Sequence, residues 1–184
     1  MAASIDDVLA FWLEETTAEQ RFMKDPEFDQ RVRDRLGDAH DLAVAGALDD
    51  WRSSARGCLA LCILLDQAPR NMFRDTPRAF ATDPQARAVA RYAIGQGFDR
   101  GAEFDDAVRL FFYMPFMHSE DIGDQDTCVN LISERIAAKN RGGYAERHRD
   151  IVARFGRFPH RNDILGRDHT PEEIEFLSQD GSSF

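Results

Sequence analysis

Along almost the whole of this chain, apolar residues recur at spacings of three and four, in stretches bounded by capping residues, prolines and glycines. No run alternates with the period of two that a half-buried strand needs, so the pattern predicts an all-α fold. Ser4, with Asp7 three residues on, opens a helix whose inner stripe is Ile5, Val8, Leu9, Trp12 and Leu13 and which ends near Glu15. Asp25-Pro26 opens a second through Phe28, Val32, Leu36, Ala39 and Ala43, closed by Gly46. From Ser54 to Asp66 the run is apolar nearly all round, which predicts a central, buried helix closed by Pro69. Thr82-Asp83-Pro84 opens the next, with Val89, Tyr92, Ala93 and Ile94 inward and Gly95 and Gly97 at its end.

Asp105 or Asp106 starts a helix through Val108, Leu110, Phe111 and Phe112 that should stop before Pro115, because the residue preceding a proline avoids the α region. Ser119 reads as the cap of another, with Glu120 and Asp121 in its first turn, Ile122, Val129, Ile132 and Ile136 inward, and Gly142-Gly143 as its break. Tyr144 to Phe155 is a short helix ended by Gly156. Thr170-Pro171-Glu172-Glu173 is a capping box leading to Ile174, Phe176 and Leu177. Seven or eight helices in one domain, residues 1–178, are expected, with a loose tail over 179–184.

The formal net charge of −10 argues against nucleic-acid binding, which needs a basic surface that releases counterions. No apolar run approaches the roughly 18–20 residues that span a bilayer, and the first residues lack the basic start and apolar core of a signal peptide. A cytoplasmic protein without membrane contact is the expectation. Cys58, Cys62 and Cys128 lack further ligands at tetrahedral-site spacing, so they are read as buried, reduced thiols. No phosphate loop or dinucleotide fingerprint is present, and neither a cofactor nor a metal is expected.

The residues with chemical potential lie just past helix ends. Arg70, Asn71 and Arg74 follow Pro69, and Arg157, His160, Arg161 and Asn162 surround Pro159. Planar guanidinium groups beside aromatic residues suit carboxylate or phosphate, because they donate two parallel hydrogen bonds. The same arginines also suit ion pairing with Asp66, Glu120 and Asp121 and bonding to helix C-terminal carbonyls. His118, His148 and His160 are the histidines with charged company, and His118 beside Glu120 is a candidate acid or base. His40 and His169 sit in polar contexts and are read as solvated. The run Phe111 to Met117 reads as core, with the Tyr113 hydroxyl at a pocket rim.

Several of these segments resemble a bacterial family known as domain of unknown function 924. The resemblance is carried by Leu64 to Gln67, Pro69 to Arg74, Arg78 to Asp83, Phe112 to Asp121, and His148 to Asn162. It implies an all-helical domain with a tetratricopeptide-like stack of antiparallel helix pairs, although no repeat near the tetratricopeptide period of about 34 residues is visible in the chain. It implies no activity. The chain departs from the pattern at Ala68, where an aromatic is usual, and at Asp75, where glycine is usual; losing the aromatic should loosen a pocket wall near Arg70.

Three functional classes remain open on the sequence. The first is a ligand site built from Arg70, Asn71, His118, Glu120, His148, Arg157, His160, Arg161 and Asn162, binding an anionic small molecule or a peptide carboxylate. The second is a hydrolase in which His118 or His160 is the acid/base and Glu120 orients it, with or without a metal. The third is a tetratricopeptide-like interaction module without a chemical site. The oligomeric state is not legible.

Overall fold

Most helix ends fall where the punctuation puts them. In the computed structural model, which describes residues 4–137, 139, 142–179 and 181–182, α-helices and short 3₁₀ and π segments account for all regular structure among the described residues. The chain is all-α, in shorter segments than the seven or eight helices expected. Helix α1 (Ile5–Leu9) is capped by Ser4 and runs through a π segment, Ala10–Glu14. Helix α2 (Ala18–Phe22) was not anticipated, although Thr17 and Gln20 form a full capping box. Asp25 caps α3 (Pro26–Val44) with Pro26 in its first turn.

The central rod is longer than its sequence signals suggest. Helix α4 (Ala55–Cys62) continues through a π segment (Ile63–Gln67) into α5 (Ala68–Met72), so Pro69 does not close it. A proline inside a helix has no N–H to give to the carbonyls four and five residues back, which here are Leu65 and Leu64. Both find donors elsewhere: the Thr82 hydroxyl donates to Leu65 O at 2.6 Å, and His40 Nδ1 lies 2.9 Å from Leu64 O. With those two carbonyls bonded, Pro69 is tolerated directly after the π segment. His40 is therefore buried within the fold and not solvated.

Helix α6 (Asp83–Gly95) begins as predicted, though the Thr82 side chain is spent on Leu65 and caps nothing. Helix α7 (Asp106–Arg109), capped by Asp105, passes through a 3₁₀ turn (Leu110–Phe112) into α8 (Met114–Met117). Pro115 thus lies in the first turn of a helix, where its missing N–H costs nothing. Helix α9 (Ile122–Arg135) is capped by Asp121, whose carboxylate accepts from the Asp124 N–H; the Ser119 hydroxyl instead donates to Asp124. It stops at Arg135, before the glycine pair, and residues 138, 140 and 141 lie outside those described. Helix α10 (Tyr144–Phe155) ends at Gly156 with φ 68°, followed by a 3₁₀ turn (Pro159–Arg161), α11 (Asn162–Leu165) and α12 (Pro171–Leu177). Ile174 of α12 is 60% exposed, so Phe176 holds that helix by packing on Phe155. Of the expected loose tail, Asp180, Ser183 and Phe184 lie outside the described residues.

One apolar core runs from α1 to α10, and every residue from Cys58 to Gln67 is buried within it. Helix α3 packs along the π segment and α5, α6 along α4, and α9 against both α8 and α10. A satellite cluster of Ile151, Val152, Phe155, Phe158 and Phe176 fixes the C-terminal elements to α10. The three cysteines are buried, as expected, and so is Tyr113, whose hydroxyl donates to Asp99 at 2.7 Å instead of reaching a pocket rim. Asp75 is the one described non-glycine residue with positive φ, 60°, at the position where the family resemblance led us to expect glycine.

Candidate functional site

Four element ends meet beside the central rod: the π segment with α5, the start of α6, the turn after α8, and the 3₁₀ turn after α10. Asp66 comes from the π segment and is 1% exposed. Its carboxylate receives His118 Nδ1 at 2.8 Å, lies 3.3 Å from Arg70 Nη1, and accepts from the Gln67 amide. Burial by itself would raise this carboxyl, yet the Arg70 guanidinium and His118 hold it well below the usual carboxylate range. Arg70 reaches across to Asp83 with a two-pronged pair of 2.9 and 3.1 Å.

Arg161 lies behind Asp83, 3.7 Å from its carboxylate. Its guanidinium sits between the Phe80 and Phe158 rings, 4.5 Å from each centroid, and the residue is 6% exposed. The Nε has no hydrogen-bond partner among the described residues. Burial, followed by the neighbouring Arg70 charge, brings this arginine down to about 10. A cation capped on both faces by rings keeps its donors only in the plane between them.

An open cavity of about 460 Å³ is walled by Phe80, Asp83, Arg87, His118, Glu120 and Arg161, among others. Of the nine residues read as ligand-binding from the sequence, His118, Glu120 and Arg161 line it. Arg70 stands behind Asp66 and Asp83. His148 packs 6.2 Å from the His118 ring and edge-on to Phe158, with Nδ1 on Tyr144 O at 2.7 Å; His160 also packs on Phe158, with ring centroids 5.6 Å apart. Burial pushes both histidines down, His148 to about 3 and His160 to about 4, so neither is charged at neutral pH. Burial and Arg70 also lower His118.

The other three candidates do not line the cavity, although Asn162 Oδ1 accepts from Arg167 Nε at 2.9 Å and is so linked to Glu120. Asn71 donates to Asp29, which Arg74 also clamps at 2.7 and 2.8 Å. Arg157 pairs with Glu173 through two bonds of 2.7 and 2.8 Å, holding that carboxyl down at about 2, and Asn162 donates to Glu173 as well. Both networks tie helix ends together. Glu120 does not orient His118: its two oxygens take Arg167 at 2.7 and 2.9 Å, and one also accepts the Phe158 N–H. The residue that orients His118 is Asp66, which sequence reasoning had placed only as an ion-pair partner. Arg167, Asp83 and Phe80 were also missed as site residues. Asp83 carried a helix-start signal that masked its second role. His169 bonds Asp163 at 3.0 Å, and its other ring nitrogen meets the Asn162 amide. No cluster of three or more His, Cys, Asp or Glu side chains suited to a metal occurs among the described residues, and no helix of the described chain is long and apolar enough to cross a membrane.

Comparison with curated proteins finds no match. Among solved structures, the chain is similar to a protein of unknown function, ATU0120 from Agrobacterium tumefaciens. The two are 45% identical, the match covers 94% of this chain and 96% of that one, and the TM-score is 0.87. The profile described as bacterial protein of unknown function (DUF924) matches residues 8–181, which is nearly the whole sequence. The chain belongs to the DUF924 family of bacterial proteins.

Proposed function

We propose that the cavity beside Asp66 binds an anionic small molecule or the carboxylate end of a peptide, with Arg161 as the clamp. The observation that carries this reading is Arg161 itself. A guanidinium at 6% exposure with an unpartnered Nε is a costly thing to bury, and its planar donors match a carboxylate. The stacking rings Phe80 and Phe158 fix its plane before a ligand arrives, so little ordering entropy remains to be lost on binding. Arg70 cannot play this part, since Asp66 and Asp83 already neutralise it. With Nδ1 facing Asp66, a neutral His118 presents Nε2 as an acceptor for a hydroxyl or a water beside the anion. The tetratricopeptide-like module reading has no observation of its own in its favour.

Titration calorimetry with acetate, succinate, citrate and inorganic phosphate tests the proposal. Hydrogen bonds to a charged group are worth about 1.5–3 kcal/mol, so Arg161→Gln should weaken a bound carboxylate by roughly 10- to 150-fold, and Arg161→Lys by less. Equal affinity in wild type and Arg161→Gln, or no binding of any of these anions at millimolar concentration, would sink it.

A further inference from the structure

We propose that Asp66 and His118 form a general-base dyad that activates a water molecule for attack on an ester or amide carbonyl held against Arg161. The carboxylate that the cavity suits is then the product of the reaction, so the inference rests on the anion-binding reading and deepens it.

The geometry makes the case in three steps. First, the Asp66 carboxylate meets His118 Nδ1 with both oxygens, at 2.8 and 3.0 Å. A buried carboxylate in that position fixes the Nδ1–H tautomer and leaves the Nε2 lone pair on the cavity side, where His118 forms part of the wall. Asp66 is itself held by Arg70 and Gln67 and carried on the π segment, whose wide turn is locked by Thr82 and His40, so the acceptor cannot swing away. Second, the nucleophile must be water. The Ser119 hydroxyl beside His118 in sequence is committed to Asp124. Burial pushes the thiols up, Cys58 to about 11 and Cys128 to about 12 with Cys62 well above its usual value, so none supplies a thiolate. Third, Arg161 lines the same cavity, and a guanidinium there suits an oxygen that becomes negative during attack.

The steps balance. Nε2 takes one proton from water as the water oxygen bonds to the carbonyl carbon, and the carbonyl oxygen becomes an oxyanion against Arg161. The imidazolium, stabilised by Asp66, returns that proton to the leaving oxygen or nitrogen as the bond to it breaks. An alcohol or amine departs, a carboxylic acid remains and ionises, and His118 is neutral again. In this scheme His118 is the catalytic residue and Asp66 a positioning residue.

The test uses the full-length protein and p-nitrophenyl esters of short and medium acyl chains, with release of p-nitrophenolate as the readout. Wild type should exceed the buffer rate, His118→Asn should lower kcat/KM by about 10²-fold or more, and the matching free carboxylate should inhibit competitively. Asp66→Asn should lower kcat/KM and also change the pH–rate profile, an effect that a purely structural role would not produce. If Asp66→Asn does not fold, ¹⁵N spectra of His118 in wild type stand in for it: a protonated Nδ1 with bare Nε2 supports the dyad, and the opposite tautomer overturns it. Hydrolysis at the buffer rate for every ester, or equal rates in wild type and His118→Asn, overturns the proposal. If carboxylates still bind through Arg161 in that case, only the dyad fails; if they do not bind, the ligand reading fails with it.

Discussion

Acid should destabilise this protein well before its carboxylates titrate, because histidines are buried uncharged beside the central rod. His148 is lowered to about 3 and His160 to about 4, each chiefly by burial. An unfolded chain returns both to near 6.5. A group whose folded value is depressed contributes stability above its unfolded value, and that contribution is lost as pH falls from there towards the folded value. The window runs from about 6.5 down to about 3 for His148 and about 4 for His160. Between pH 7 and pH 5, proton binding favours the unfolded chain by about 2 kcal/mol per histidine, or about 4 kcal/mol for the pair acting independently. His40 and His118 are lowered too and act in the same direction. Urea denaturation at half-unit steps across this range reads the slope directly. A double variant, His148→Gln with His160→Gln, should flatten it. A wild-type unfolding free energy that changes by less than about 0.5 kcal/mol between pH 7 and pH 5 would show that these rings are hydrated or already charged, and the burial argument would be wrong.

Two smaller perturbations probe the scaffold. Thr82→Val keeps the shape but removes the hydroxyl that donates to Leu65 O, and should cost about 1–3 kcal/mol, measured as a lower denaturation midpoint with an unchanged m-value; Thr82→Ser should recover most of the loss. Asp75→Gly relieves a left-handed backbone at φ 60° worth about 1 kcal/mol. It gives up only an exposed pair with Lys24, so its melting temperature should rise or hold, and a clear fall would contradict the strain reading.

Much of the architecture is legible because its signals are local. The Ser4 and Asp25 caps, the Thr170–Glu173 capping box and the left-handed Gly156 each act within a single turn, and each appears where the sequence marks it. Pro69 misled because its cost depends on remote partners, whereas the helix before Pro115 does stop ahead of it and Pro115 opens the next. Nothing near Pro69 in sequence announces that Thr82 and His40 will supply donors to the carbonyls its ring leaves bare. The expected loss of a pocket wall at Ala68 also dissolves, since Ala68 lies in the core and Phe80 is the ring that faces Arg70.

The sequence alone determined the all-α class, the buried central helix and the three segments that carry charge past helix ends, because periodicity, caps and breakers are read over a few residues. Only the tertiary structure decided how those charges pair. Arg70 is consumed by Asp66 and Asp83, Glu120 by Arg167, and Arg157 with Asn162 by Glu173, which leaves Arg161 and the Asp66-bound His118 facing the cavity. Ion pairing between distant segments follows from distance and burial in three dimensions, and side chains of identical type at similar helix ends differ only in which neighbour the packing delivers to them.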